Sequence, residues 1–204
     1  MSLFVSIIST LLASAAGIAL GIPVSLRNFR LKGIIMRATD ALMSLPPVLM
    51  GLIVYLLLSR SGPLGGLQLL FTPAAMIIAQ TLLIIPIVFG LTCSALSRTA
   101  QEVKKTCMSL GGQSRDVFIT IIKESRTQIL TLVTVAFGRA ISEVGAVMMV
   151  GGNIKGHTRV MTTFIALETG KGNFREALII GAILLFISFL LNFMLHKTRG
   201  RYEV

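Results

Sequence analysis

Cysteine, histidine and acidic residues are scarce in this 204-residue chain, and each shortage excludes something. The two cysteines, Cys93 inside an apolar run and Cys107 inside a polar one, form neither a disulfide framework nor metal-ligand spacing, and read as packing residues. His157, one of two histidines, has no second ligand at usable spacing, so no metal site is expected around it. The eight carboxylates are scattered and build no glycosidase or protease pair. A Gly-rich phosphate loop followed by Lys-Ser or Lys-Thr is missing, as are Gly-x-Ser-x-Gly, His-Glu-x-x-His and Cys-x-x-Cys. An enzyme is not expected, nor a bound cofactor, and ATP is not expected to bind in this chain.

What is present is apolar. Hydrophobic residues make up 54% and charged residues 13% of the chain, where a soluble domain carries about a quarter charged. With a mean hydropathy of +0.86 this is the composition of a polytopic membrane protein. Nineteen Lys and Arg against eight Asp and Glu leave +11, which in a soluble protein would suggest nucleic acid. Here basic loops facing lipid headgroups account for it, so the bilayer is the expected partner and nucleic acid is not.

Five spans are expected in one domain covering residues 1–204, at about 3–26, 41–58, 73–96, 127–150 and 177–195. A signal peptide is the competing reading of the first, but no basic residue precedes it and Arg27, Arg30 and Lys32 come directly after it. Ala13, Ala15, Ala16, Gly17, Ala19 and Gly21 make one end of that helix small-surfaced, which permits close helix approach. In the second span Pro46 and Pro47 remove two backbone donors, so the helix starts or bends there, either for packing or to line a pathway. The fourth span carries Arg139 and Glu143 at i, i+4, where they pair on one face. They are either structural glue between helices or groups beside a translocation path, with Ser142 next to them. Residues 151–173 read as a polar connection.

Ser97 to Arg126 is the long polar segment of an otherwise lipid-soluble chain, and reads either as a connecting loop or as a helix, turn, helix finger. Val103, Cys107 and Leu110 form one apolar stripe; Val117, Phe118, Ile121 and Ile122 form another. Between them Gly111 and Gly112 suit a left-handed helix end, with Ser114 as the cap of the second helix. Basic residues in alternate loops divide thirteen to five: Arg27, Arg30, Lys32, Arg37, Arg98, Lys104, Lys105, Arg115, Lys123, Arg126, Lys197, Arg199 and Arg201 against Arg60, Lys155, Arg159, Lys171 and Arg175. The positive-inside rule then expects the finger and the carboxyl terminus inside and the amino terminus outside.

Gly111 and Ile121 fall where the cytoplasmic loop of ATP-binding-cassette importer permeases has the Gly and Ile of its Glu-Ala-Ala, three residues, Gly, nine residues, Ile-x-Leu-Pro pattern. Lys105-Thr106-Cys107 stands in place of Glu-Ala-Ala, and Lys123-Glu124 in place of Leu-Pro. Arg139-Ala140-Ile141-Ser142-Glu143-Val144-Gly145-Ala146 is similar to the Arg-x-Leu-Gly-Glu-Phe-Gly-Ala segment of molybdate and sulfate permeases. With Gly151-Gly152-Asn153-Ile154, Thr158 to Thr163, Asp40 to Val48 and Leu58 to Gly65, the chain most resembles the tungstate branch over nearly its whole length. The resemblance implies an all-α integral membrane protein of the type I importer permease fold, in a bacterial or archaeal cytoplasmic membrane. It implies a homodimer working with two ATPase subunits, which hydrolyse the ATP, and with an extracytoplasmic oxyanion-binding protein; the cargo is tungstate, or molybdate or sulfate. Glu102, Lys105, Thr106, Cys107, Leu110, Gly111, Gly112 and Phe118 are then the candidate coupling residues, with Val103 as a further apolar contact to the ATPase. Arg139, Ser142, Glu143, Pro46 and Pro47 are the candidate pathway or gate residues. A stand-alone channel or proton-coupled carrier using Arg139 and Glu143 is the alternative. The first span begins almost at Met1, so an amino-terminal interfacial helix, common in such permeases, is expected to be absent or removed.

Overall fold

The structure, a computed structural model, describes residues 1–26 and 29–200, with the backbone alone at 98, 101, 114 and 194–200. Arg27 and Arg201 of the basic clusters therefore lie outside the described residues, as do the side chains of Arg98, Ser114, His196, Lys197 and Arg199. Among the described residues every regular element is helical: α1 Ser2–Leu26, α2 Lys32–Met43, α3 Pro47–Leu58, α4 Pro73–Ser109, α5 Ser114–Glu124, α6 Arg126–Ile141, α7 Gly145–Gly151, α8 Met161–Gly170 and α9 Phe174–Gly200, with a 3-10 turn at Gly65–Leu67.

Three helices are each long and apolar enough to cross a bilayer, over Ser2–Leu26, Pro73–Ser97 and Phe174–Phe193. Two helix pairs are long and apolar enough only together, each a broken span or a re-entrant loop: α2 and α3 meet at 96°, α6 and α7 at 56°. The span expected over 41–58, with a start or bend at its proline pair, is divided there. Ala41 to Met43 belong to α2, and α3 starts at Pro47, whose missing N–H is an orphan at a first helical position in any case. The fourth crossing likewise ends its first segment at Ile141 rather than running to Val150.

Helix α4 is the axis of the bundle. Its start is capped by the Thr72 hydroxyl, which accepts the Ala75 N–H at 3.4 Å, and its 37 residues extend about 55 Å at 1.5 Å each. It passes through Pro86 and runs without a break into the polar segment, so the first arm of the expected finger is the end of the third span rather than a separate helix. The polar connection after α7 also contains the unexpected helix α8.

Lipid gives helices no hydrophobic reason to associate, so close backbone approach must supply the packing. Of the six small residues of α1, the i, i+4 series Ala13, Gly17 and Gly21 is buried, whereas Ala15 and Ala19 are exposed. A Cβ at Gly17 would stand 2.8 Å from the Val88 side chain, and one at Gly21 would stand 2.8 Å from Thr92. Helix α3 packs on α7 in the same way, since a Cβ at Gly51 would lie 2.7 Å from the Ala146 Cα. Three core layers line up along α1 and α4. The layer farthest from the Gly111 turn joins Val5, Val54, Met76, Ala146, Val147 and Val150. The middle one joins Ala13, Ile84, Val88, Ala136 and Ala140. Nearest the turn are Ile22, Leu96, Ala100 and Ile121.

Candidate functional site

The break between α6 and α7 collects most of the polar chemistry inside the bundle. Arg139 Nη1 lies 2.9 Å from Glu143 Oε2, with the Arg139 side chain 34% exposed and that of Glu143 2% exposed. The other carboxylate oxygen, Oε1, accepts the Ala146 N–H at 3.1 Å and so caps the first turn of α7. Oε2 has the ionic contact but no bond of hydrogen-bond geometry. Glu143 is thus the buried, capped member of the pair, and Arg139 the more accessible one. Ser142 is exposed, its hydroxyl donating to the Arg139 carbonyl at 3.2 Å.

The second break lies against the first. Pro46 is the residue before α3, its carbonyl accepting the Leu49 N–H at 2.9 Å, and Pro47 opens the helix. A Cβ at Gly145 would stand 2.6 Å from Val48 Cγ2, so the starts of α3 and α7 touch. The prolines therefore belong to the same neighbourhood as Arg139 and Glu143. Beside the break a cavity of about 220 Å³ separates α6 from α9, lined by Thr134, Phe137, Gly138, Ile141 and Ser142 opposite Leu184, Ser188 and Asn192. Arg139 does not line it, although Gly138 before it and Ile141 and Ser142 after it do.

At the far end of α4 the finger turns at Gly111, whose φ of +77° is the left-handed conformation that glycine adopts without penalty. The Gly111 and Gly112 N–H groups close the helix on Met108 and Cys107 carbonyls at 3.2 and 2.8 Å. Gln113, not Ser114, is the capping position of α5, because the Asp116 carboxylate reaches back to the Gln113 N–H at 2.8 Å. Leu110 is 81% exposed, and Met108, Phe118 and Ile119 stand out with it. Glu102, Lys105 and Thr106 are exposed, whereas Cys107 and Gly112 are partly buried. Val103, expected on the outward stripe, packs inward with Val117 and Ile122 onto Ile22, Leu96 and Ile121.

A broken membrane-spanning pair with a buried ion pair, joined to an apolar-tipped finger, is the anatomy of a transporter subunit, and comparison with known families decides which. Residues 13–197 match the model of the binding-protein-dependent transport system inner membrane component. The chain belongs to this family. It is a type I permease of an ATP-binding-cassette importer, and a multi-pass membrane protein. It is 47% identical over 197 residues to the tungstate uptake system permease protein TupB of Peptoclostridium acidaminophilum, covering 97% of this chain and 86% of the relative. To TupB of Campylobacter jejuni it is 40% identical over 172 residues, 84% of this chain and 72% of the relative. To the molybdenum transport system permease protein ModB of Azotobacter vinelandii it is 26% identical over 178 residues, 83% and 79% of the two chains.

Two side chains of the permease that reach the break escaped sequence reasoning. Gln80 of α4 donates its amide to the Ala140 carbonyl, and Thr162 of α8 donates its hydroxyl to the Glu143 carbonyl at 2.9 Å. A lone amide in the apolar run from Pro73 to Leu96 was the available signal for Gln80. Thr162 had none, since only the folded chain brings α8 under α7. A further polar knot closes the segment after α7: Asn153, at φ +51°, accepts from Arg159 Nε at 3.2 Å and from the Thr163 hydroxyl at 3.0 Å.

Proposed function

We propose that residues 1–204 act as one permease domain importing an oxyanion, tungstate foremost, as a homodimer with two ATPase subunits and an extracytoplasmic binding protein. The observation that carries the choice of cargo is the likeness to a tungstate permease over 97% of the chain. An accessible guanidinium at a break inside the bundle fits it chemically. The finger end is cytoplasmic and the amino terminus extracytoplasmic, as the thirteen to five division of basic residues supports. ATP is hydrolysed by the partner subunits.

Met108, Leu110, Phe118 and Ile119 present an apolar tip to a groove on the ATPase, with Glu102, Lys105 and Thr106 as its polar rim. Because α4 runs unbroken from that tip to Pro73, a tilt imposed by closure of the nucleotide sandwich travels the length of the bundle. ATP binding then biases a two-state equilibrium between the two directions of access. Arg139 supplies the positive charge that the anion meets where water thins out, and Glu143 neutralises it when the path is empty.

The test is tungstate uptake by proteoliposomes holding the permease, its ATPase and its binding protein. Removing Arg139 alone leaves a buried carboxylate uncompensated, which costs about 3–5 kcal/mol at full burial and less here because Arg139 is one-third exposed. Arg139→Gln is therefore expected to lower the yield of assembled complex. The double variant Arg139→Gln, Glu143→Gln is expected to assemble and to transport poorly. Normal transport by the assembled double variant makes the pair structural only, and uptake by the permease with no ATPase present overturns the importer reading.

A further inference from the structure

An unbroken helix through residues 139–147 would join the Val144 N–H to the Ala140 carbonyl and the Val147 N–H to the Glu143 carbonyl. Here the Glu143 carbonyl is met by a side chain of another helix instead, while the Ala140 carbonyl accepts the Glu143 N–H at 3.3 Å and takes a side chain of α4 as a further donor. The Gln80 amide nitrogen faces the Ala140 carbonyl, and the Thr162 hydroxyl faces the Glu143 carbonyl at 2.9 Å. Both side chains are buried. The orientation of the Gln80 amide is dictated by chemistry, since a carbonyl can only accept, and Gln80 Oε1 faces the Ser9 hydroxyl of α1 at 2.9 Å, whose single proton it shares with the Val5 carbonyl at 2.7 Å. Carbonyls without partners are costly where water is excluded, so a break in a membrane helix persists only where something else satisfies them. The 56° bend between α6 and α7 is thus held by α1 and α4 on one side and by α8 on the other.

The consequence falls on the ion pair. While the bend exists, Glu143 Oε1 caps the Ala146 N–H and its Oε2 stands 2.9 Å from Arg139 Nη1, with the Arg139 side chain one-third exposed. We propose that Gln80 and Thr162 are positioning residues for anion passage: by clamping the Ala140 and Glu143 carbonyls from α4 and α8 they hold the α6–α7 break and keep the Arg139 guanidinium available to the anion. The proposal rests on Arg139 being a pathway group.

Ser142, exposed in the bend, is the reporter. In the full reconstituted complex, with Cys93→Ala and Cys107→Ala, Ser142→Cys is treated with methanethiosulfonates carrying either an anionic sulfonate or a cationic trimethylammonium. A guanidinium one turn away is expected to favour the anionic reagent by about tenfold after correction for intrinsic reactivity. Gln80→Met and Thr162→Val are expected to reduce that preference to about twofold or less and to depress tungstate uptake in parallel, whereas Thr162→Ser, which keeps the hydroxyl, retains both. An anionic preference left intact by Gln80→Met and Thr162→Val overturns the positioning role while leaving Arg139 in the pathway. No reaction at Ser142→Cys, or no preference in the parent, overturns the pathway placement of Arg139 and the proposal with it. Failure of both Gln80→Met and Thr162→Val to assemble, judged by gel filtration of the purified complex, makes the two side chains structural only and overturns the proposal as well.

Discussion

At the scale of single residues, Glu168 shows how a charge is kept at the end of a short helix. Its carboxylate takes Lys171 Nζ on one oxygen and Asn173 Nδ2 on the other, each at 2.7 Å, which ties the end of α8 to the start of α9. The hydrogen bond from Lys171, then that from Asn173, holds its pKa below the usual carboxylate range, against a smaller opposing effect of burial. A depressed folded-state pKa stabilises the fold above the unfolded value, near 4.3, and that contribution disappears as pH falls through the folded value. Glu168→Gln is accordingly expected to lower the midpoint of thermal unfolding at neutral pH, with the two proteins converging below about pH 4. Thermal unfolding followed by circular dichroism, in detergent at both pH values, measures it. A gap unchanged by acid would mean that the carboxylate acts by shape rather than by charge.

At the scale of elements, the finger depends on one backbone conformation. Gly111 sits at φ +77° with nothing within 4 Å of where a Cβ would be, so a substitution there meets backbone strain rather than a clash. Leucine in the left-handed region costs about 1–2 kcal/mol, and Asn tolerates it better. Gly111→Leu is therefore expected to leave insertion intact and to weaken cargo-stimulated ATPase activity of the reconstituted complex several-fold, with Gly111→Asn closer to the parent. Equal stimulation in all three would show that the turn has no part in coupling. The glycine pair was legible from residue type alone, because a left-handed helix end is a local property. The inward face of Val103 was not: whether an apolar residue of α4 points to α1 and α5 or to solvent depends on where those helices lie.

At the scale of the whole molecule, α4 separates Gln68 from Gln113, and Ile180 of α9 lines a cavity with Met1, Ser2 and Leu3, at the end of the bundle away from the Gly111 turn. Asn173, before α9, thus lies at the end opposite the Gly111 turn. Single cysteines at positions 68 and 173 are expected to react with a membrane-impermeant thiol reagent in intact cells, and one at 113 only after the cells are opened. Labelling at 113 from outside would invert the orientation.

Composition and apolar run length determined by themselves that this chain lives in a bilayer and crosses it about five times, since a window of about 18 to 25 residues carries its own transfer energy whatever it packs against. Local chemistry also determined the interruption at Pro46 and Pro47, the glycine turn of the finger, and the i, i+4 pairing of Arg139 with Glu143. Only the tertiary structure decided that the fourth crossing breaks at Ser142 to Val144. No proline or glycine pair marks that place, and the side chains that bond the carbonyls at the break, Gln80 and Thr162, lie 60 residues before Ala140 and 19 after Glu143. Hydrogen bonds of that separation have no signature in a local window. They come into being when α1, α4 and α8 close around the same point, and a bond that depends on three helices cannot be read from any one of them.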